Sequence, residues 1–159
     1  MYDLKIINKI KEYMLLNKQT VAVAESVTSG NLQAALSLAA DASKFFQGGI
    51  TTYNIGQKCR HLHIEPTHAL SCNCVSQKIA DDMAINACKL FLSDWGIGIT
   101  GYAAPVPECS IEKVFAYYSF AFRNENAGSK KIETDKTDGL EVQQYYTMQV
   151  LTDFSLLLK

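Results

Sequence analysis

Three short runs of β-branched and small apolar residues alternate with segments of helical periodicity, and this alternation constrains the fold more than any other feature. The candidate strands are residues 20–24, 50–53 and 95–100, and the candidate helices are residues 4–16, 31–40, 77–91 and 140–158. Short apolar runs of this kind are typical of strands buried on both faces. The alternation predicts an α/β fold, a three-layer α/β/α sandwich with a mixed, largely parallel central sheet.

The second half of the chain adds an aromatic strand, residues 114–123, and residues 130–134 are its predicted hairpin partner. Residues 126–128, Asn-Ala-Gly, supply the predicted turn. Alternation places three aromatic rings on one face of the strand, those of Tyr118, Phe120 and Phe122. We therefore expect these three rings to lie in the core or in a subunit interface. Base stacking is the alternative, but the sequence shows no matching basic groove.

The composition suits a single domain over residues 1–159, with 48% hydrophobic residues to build one core. The net charge of -1 provides no basic field, so no nucleic-acid partner is expected. No apolar run is long enough to cross a bilayer, and the N-terminus lacks the layout of a signal peptide, so no membrane partner is expected. An odd number of cysteines, five, favours free thiols in a reducing compartment and predicts a cytoplasmic location.

Cysteine and histidine side chains crowd into residues 59–74, where zinc binding is one hypothesis. The members of this group are Cys59, His61, His63, His68, Cys72 and Cys74. Their spacing matches no standard zinc-finger pattern, which favours packing and surface roles. We therefore expect no metal ligands among them.

Two of the predicted strands end in turns of small, hydroxyl-bearing and glycine residues, at 25–30 and 100–101. In parallel sheets, ligands bind off the carboxyl ends of the strands. Ser26 lies in the first turn, before a helix whose free amides and partial positive charge can hold a phosphate or an oxyanion. A plain helix-capping turn is the structural alternative for this segment.

Tyr53 and Lys58 follow the second strand, and Asn54 is the predicted N-cap of a short helix that carries Lys58. A serine nucleophile needs a base, and a lysine can act as one when burial lowers its pKa. A tyrosine hydroxyl can relay the proton or orient the amine. For these two residues alone, an exposed lysine and a core tyrosine are the ordinary alternative.

The segment from Ala24 to Gly30, A-E-S-V-T-S-G, resembles the A-E-S-C-T-G-G signature of the CinA C-terminal family. Further matches follow in family order, with family spacing, as far as Pro105. They are Ser43, Phe46, Gly49, Thr52-Tyr53, Lys58, Leu62, Val75-Ser76, Met83-Ala84, Thr100-Gly101, Ala103 and Pro105. The resemblance therefore covers residues 24–105 closely and implies the fold of that family.

The family includes nicotinamide mononucleotide deamidases, so the resemblance implies an amidohydrolase that acts on this mononucleotide or on a related pyridine nucleotide. It implies Ser26 as nucleophile and Lys58 as general base, with Ser43 and Tyr53 as further catalytic residues. It implies a substrate-binding role for Thr28, Ser29, Gly30, Thr100 and Gly101. It also implies a homo-oligomer and no cofactor.

Several positions depart from the family pattern. Ser29 and Ala104 stand where the family has glycine, and residues 137–139 read Thr-Asp-Gly where the family has G-D-R. No arginine follows Arg123, and Lys136 could replace the lost arginine only as a point charge. The alternative hypothesis is a catalytically degenerate paralogue that binds a nucleotide or a protein partner without turnover.

Overall fold

A computed structural model describes residues 2–159. The helices are α1 (Leu4–Asn17), α2 (Asn31–Ser37), α3 (Ile55–Leu62), α4 (Pro66–Ser71), α5 (Gln77–Phe91) and α6 (Gly139–Leu157). The strands are β1 (Val21–Glu25), β2 (Phe46–Thr51), β3 (Trp95–Gly101), β4 (Phe115–Phe122) and β5 (Glu125–Glu133). Two short 3-10 helices lie at Ala42–Lys44 and Pro107–Cys109.

The five strands form one mixed sheet in the order β2-β1-β3-β4-β5. Strand β1 pairs in parallel with both β2 and β3, so the carboxyl ends of these three strands lie at one edge. Strand β4 runs antiparallel to β3 and to β5. The expected mixed, largely parallel sheet is confirmed.

Helices cover both faces of the sheet. On one face, α1, α2 and α6 pack together over the larger core, which includes Ile10, Leu36 and Phe154. On the other face, α5 packs against β3 and β4, and Ile79 and Met83 belong to the smaller core beneath it. This arrangement is the three-layer α/β/α sandwich.

Helix α5 lies unusually close to β3 because β3 carries glycine where the two elements touch. A Cβ atom on Gly96 would lie 2.1 Å from the Ala84 carbonyl oxygen, and one on Gly98 would lie 2.5 Å from the Ala80 carbonyl oxygen. Ser76 is the N-cap of this helix, since its side chain accepts a hydrogen bond from the Ile79 amide. The helical spacing of Ile79, Met83, Ala87 and Leu90 predicts one apolar stripe on α5. The first three are buried, whereas Leu90 is exposed.

The β4–β5 hairpin turns earlier than expected. Arg123 and Asn124 form the connection, with φ angles of 50° and 67°. Two consecutive positive φ angles fit a tight two-residue hairpin turn. The predicted turn at residues 126–128 is therefore wrong: Asn126 pairs with Ala121 and Gly128 with Phe120 inside the ladder, next to a bulge.

The aromatic face of β4 packs inward. Phe120 stacks on Phe154 of α6, with ring centroids 5.3 Å apart, and Trp95 contacts both Phe122 and Phe154. These rings are core residues of the single chain. No helix within residues 2–159 has both the length and the hydropathy needed to cross a membrane.

Candidate active site

Ser26 is the first residue after β1, at the carboxyl edge of the sheet. Its side chain is 7% exposed, and it lines a cleft with a volume of about 530 Å³. A cleft of this volume is typical of small-molecule sites. The strand thus delivers one partly accessible hydroxyl to the floor of a ligand-sized opening.

Lys58 reaches the same point from the neighbouring strand. Thr51 ends β2, and α3 begins after Asn54, whose side chain accepts a hydrogen bond from the Gln57 amide as expected. The Lys58 side chain, 1% exposed, lies among the largest fully buried side chains. Its Nζ atom is 2.9 Å from Ser26 Oγ and donates to the Thr52 carbonyl oxygen at 2.8 Å. Two strands that are paired in parallel therefore bring the hydroxyl and the amine into direct contact.

The environment of Lys58 favours an uncharged amine. Burial lowers the pKa of Lys58 from its ordinary value of 10.5, and the nearby Cys74 and Cys59 thiols oppose this shift. Desolvation disfavours the charged form of an amine, which is why burial acts in this direction. A lysine of this kind has a lone pair with which to accept a proton.

Glu25 occupies the N-terminus of α2. Its buried carboxylate accepts hydrogen bonds from the Thr28 hydroxyl at 2.6 Å and from the amides of Gly30, Leu32 and Gln33 at 3.1, 3.0 and 2.9 Å. The expectation that these helix amides are free to hold a phosphate or an oxyanion is therefore wrong. Sequence reasoning missed Glu25 because a carboxylate in an apolar strand gives no periodic signal.

Only part of the turn after Ser26 lines the cleft. Thr28, Ser29 and Gly30 are not among the residues that line it, since the Thr28 hydroxyl and the Gly30 amide serve Glu25. Val27 does line the cleft, and its amide makes no hydrogen bond within residues 2–159. The amide that follows a nucleophilic serine is a common oxyanion donor.

Thr100 and Gly101, at the end of β3, do line the cleft. The Thr100 hydroxyl is already engaged, because it donates to the Cys74 carbonyl oxygen at 2.7 Å. Gly101 has no room for a side chain, since a Cβ atom would lie 2.5 Å from atoms of Ala116. Thr100 therefore fixes the wall of the cleft to the segment at Cys74, and Gly101 allows β4 to approach closely.

Tyr53 and Ser43 lie in different places. Tyr53 is 68% exposed at the rim of the cleft. Ser43 is exposed on the 3-10 helix that precedes β2, near the amino end of that strand. It does not line the cleft, which lies at the carboxyl ends of the parallel strands. Within one chain, the structure joins Ser26, Lys58 and Tyr53 around a single opening and leaves Ser43 apart.

Several lining residues were not identified from the sequence. Asn73 bridges two walls: its side-chain amide donates to the Tyr102 hydroxyl at 3.2 Å. Neither residue belongs to a pattern that could have singled it out. The remaining lining residues beyond those already described are Asn54, Ile55, Ala69, Leu70, Cys74, Val75, Ala103, Ala104 and Val106.

The cysteine and histidine group of residues 59–74 is dispersed. Within residues 2–159, no three His, Cys, Asp or Glu side chains are arranged to hold a metal ion. His61 contacts the Gln57 side chain, and His68 contacts the Ser76 hydroxyl. All five cysteines are free. These contacts are packing and surface interactions, so the zinc hypothesis has no structural support.

Comparison with known proteins agrees with this description. The family model of the CinA C-terminal domain matches residues 3–157. A CinA-like protein of Prochlorococcus marinus strain MIT 9515 is 32% identical over 151 residues, 94% of this chain, and one of Picosynechococcus sp. is 36% identical over 105 residues, 66% of this chain. The aligned regions make up 35% and 25% of those two proteins, so this chain corresponds to about a third or less of their length.

Solved structures share the fold. A CinA superfamily protein from Klebsiella pneumoniae superposes with a TM-score of 0.90 at 22% identity, covering 97% of this chain and 96% of that one. A competence/damage-inducible protein from Agrobacterium tumefaciens superposes with a TM-score of 0.86 at 20% identity, covering 100% and 99%. Fold and site define a three-layer α/β domain with a buried serine–lysine pair beside a cleft. The chain belongs to the CinA C-terminal domain family.

Proposed function

We propose that this chain is an amidohydrolase that removes the amide nitrogen of nicotinamide mononucleotide or a related pyridine nucleotide. The observation that carries this proposal is the 2.9 Å contact between the buried Lys58 amine and the Ser26 hydroxyl in a ligand-sized cleft. A nucleophile and a base within hydrogen-bond reach are the minimum requirement of covalent acyl transfer. The family resemblance supplies the pyridine carboxamide as the substrate class.

The contacts of Lys58 suit the role of base. A neutral amine has two N–H groups and one lone pair, and the Thr52 carbonyl oxygen accepts one of the N–H groups. That bond orients the amine, so the lone pair can face the Ser26 hydroxyl. Proton transfer from Oγ to Nζ would then leave a serine alkoxide beside the carboxamide carbon.

Apart from the amide substrate, the proposed reaction needs only water. Oγ of Ser26 bonds to the carboxamide carbon, the C–N bond breaks, and Lys58 returns the proton to the departing nitrogen, which leaves as ammonia. A water molecule then gives its proton to Lys58 and its oxygen to the acyl carbon, and Ser26 recovers its proton as the acid departs. The Val27 amide, adjacent to the nucleophile, is the candidate donor to the oxyanion in both steps.

An ammonia-release assay with nicotinamide mononucleotide, nicotinamide riboside and nicotinamide tests this proposal. Ser26→Ala and Lys58→Ala should each lower kcat/KM by at least about 10³-fold, because nucleophile and base act as one unit. The matched controls are Ser37→Ala and Lys9→Ala, exposed residues away from the cleft, which should leave kcat/KM unchanged. Wild type and both site variants behaving alike with every amide would refute the proposal.

The second candidate function is binding without turnover. The aromatic and apolar cleft can hold a pyridine ring, whereas it offers a phosphate no cation other than the engaged Lys58 among the described residues. Titration calorimetry with the same compounds separates the two candidates. Saturable binding without ammonia release favours a degenerate paralogue, and measurable turnover excludes it.

A further inference from the structure

Thr52 carries a buried hydroxyl that has no hydrogen-bond partner within residues 2–159. The residue follows β2, and its side chain is 1% exposed. Among the described residues, its Oγ1 atom is the one fully buried side-chain oxygen or nitrogen that makes no hydrogen bond. Buried polar groups are nearly always paired, because an unpaired one lowers the stability of the fold. A valine of the same shape would avoid this cost, so packing alone does not explain a threonine here.

The Thr52 side chain points to the layer of α3 and α5. On the neighbouring residue, the Thr51 hydroxyl accepts a hydrogen bond from the Gln33 side chain at 3.2 Å, so Thr51 faces α2. The Thr52 amide extends the ladder by donating to the Glu25 carbonyl oxygen at 2.9 Å, and side chains alternate along an extended chain. Thr52 therefore faces the opposite layer, which contains α3 and its Lys58 side chain.

The Lys58 amine also has a position without a partner. Within residues 2–159, its Nζ atom makes two hydrogen bonds, with the Thr52 carbonyl oxygen at 2.8 Å and with Ser26 Oγ at 2.9 Å. An ammonium group has three N–H donors, so the third needs an acceptor once the amine has taken the Ser26 proton. The carbonyl that Nζ already contacts belongs to the same residue as the unpaired hydroxyl. A small rotation of the flexible lysine side chain can therefore bring the third donor to Thr52 Oγ1.

The titratable groups near the amine are poorer acceptors. The pKa of Lys58 is affected by the thiols of Cys59 on α3 and Cys74 after α4, and a thiol is a weak acceptor. Burial raises the pKa of Cys74, so at neutral pH this thiol has no negative charge with which to attract an ammonium group. The Glu25 carboxylate, at the end of β1, is turned to α2 and holds amides there. The Thr52 hydroxyl remains as the acceptor.

We propose that Thr52 is a positioning residue for Lys58, and that its hydroxyl accepts a hydrogen bond from the ammonium group formed in the reaction. This inference rests on the proposed amidohydrolase function and adds a residue that does not line the cleft. The carbonyl and the hydroxyl of Thr52 then hold two of the three N–H groups. The third N–H, which carries the proton taken from Ser26, points to the departing nitrogen that receives it.

Three variants of the hydroxyl and one control test this role. Thr52→Val removes the hydroxyl and keeps both the side-chain shape and the two backbone hydrogen bonds, and Thr52→Ala is a second variant without the hydroxyl. Thr52→Ser keeps it. Thr51→Val is the matched control, because it removes the adjacent exposed hydroxyl on the other face of the strand.

The first measurement needs no substrate. NMR titration of the full chain with isotope-labelled lysine side chains follows the pKa of Lys58, and Lys58→Arg assigns its signal. Loss of an acceptor destabilises the ammonium form, so Thr52→Val should lower the pKa of Lys58 by about one unit. Thr52→Ser and Thr51→Val should leave this pKa close to its wild-type value.

Urea denaturation measures the cost of the unpaired hydroxyl. At high pH, where the amine is uncharged, Thr52→Val should unfold at a higher urea concentration than wild type, because it removes an unpaired buried group. As the pH falls through the pKa of Lys58, this gain should shrink, since the ammonium form of the wild type uses the hydroxyl and the valine variant has none.

Ammonia release from nicotinamide mononucleotide gives the third measurement. Thr52→Val should lower kcat by about tenfold and leave KM unchanged, because Thr52 acts on Lys58 and does not touch the substrate. Thr52→Ser should retain most of the wild-type kcat. A defect of packing alone would lower stability and would not move the pKa of Lys58.

The outcomes separate this inference from the proposed function. An unchanged pKa of Lys58 in both Thr52→Val and Thr52→Ala overturns the inference, and the amidohydrolase proposal stands if ammonia is still released. A raised KM with an unchanged kcat also overturns it, because Thr52 would then act on substrate binding. A lowered pKa of Lys58 in a protein whose wild type releases no ammonia from any amide supports the contact and refutes the reaction.

Discussion

Burial of the Lys58 amine is directly linked to its proposed role as a base. A buried amine loses the solvation of its charged form, and here its hydrogen bonds go to one carbonyl oxygen and one hydroxyl, not to a carboxylate. The structure therefore stabilises the neutral form, which a surface lysine reaches only at high pH. The same burial that weakens a lysine as a cation makes it available as a base.

The pH dependence of the proposed reaction follows from that pKa shift. Below the pKa of Lys58 the amine is protonated and cannot accept the Ser26 proton, so kcat/KM should rise with pH and then level off. Because burial lowers this pKa, the rise should be centred below 10.5, the ordinary value for lysine. The measurement is kcat/KM for ammonia release between pH 5 and pH 10.

Lys58→Arg is the control for this profile. Arginine keeps a similar reach but stays protonated throughout the range, so kcat/KM should fall by about 10²–10⁴-fold at high pH, where wild-type activity has levelled off, and the rise with pH should disappear. A rate that decreases as pH rises, or an arginine variant with activity close to wild type, would contradict the assignment of Lys58 as base.

At the scale of elements, α2 depends on the strand that precedes it. Glu25 ends β1 and accepts four hydrogen bonds from the Thr28 hydroxyl and from amides at the start of α2. Its carboxylate is fully buried, so the helix N-terminus and one hydroxyl provide the compensation for its charge. These bonds fix the turn between β1 and α2, and Ser26 lies in that turn.

Glu25→Gln tests this connection with a nearly isosteric change. The new NH2 group can only donate, and it would face donors, so at least one hydrogen bond to a charged acceptor is lost. We expect the free energy of unfolding to fall by about 1–3 kcal/mol in urea denaturation. We also expect kcat to fall, because the turn that positions Ser26 loosens.

Thr28→Val is the matched variant for Glu25→Gln, since it removes a single hydrogen bond to the same carboxylate and keeps the side-chain shape. Its cost should be nearer 1 kcal/mol. Equal unfolding midpoints for wild type and Glu25→Gln would show that the carboxylate does not hold the helix start.

Elements with local signals could be predicted from the sequence. Asn54 begins α3 as predicted, because an N-cap needs only one side chain and the amide two or three residues later. The helical spacing of Ile7, Ile10 and Met14 likewise matches the buried face of α1. Local chemistry fixes these starts and faces whatever the rest of the chain does.

Features set by distant contacts could not be predicted in the same way. Asn126 and Gly128 are good turn formers, yet pairing with β4 keeps them in the ladder and forces Arg123 and Asn124 into the turn. The contact of Ser26 with Lys58 spans 32 residues, and only the family resemblance connected the two. The sequence did not indicate the role of Glu25, because the residue pattern of α2 does not show that its first amides bind a carboxylate.

At the scale of the whole molecule, Ser43 raises the question of assembly. Val21 pairs with Phe46 at one end of the β1–β2 ladder, and Ser26 lies five residues after Val21. At about 3.3 Å per residue, that places Ser26 about 16 Å from this end, whereas Ser43 precedes Phe46. A catalytic role for Ser43, which the family resemblance implies, therefore requires the cleft of a second copy, and the homo-oligomer stays a prediction.

Mixing two inactive variants tests shared sites. If Ser43 acts in the cleft of a neighbouring copy, Ser43→Ala should be nearly inactive, and co-expressing it with Ser26→Ala should restore activity. In a two-fold dimer the restored level should be about a quarter of wild type, because half the dimers are mixed and each holds one intact site. Ammonia release and light scattering measure activity and assembly on the same sample. Full activity of Ser43→Ala alone would show that this serine has no catalytic role, and a lack of complementation between two inactive variants would exclude sites shared between copies.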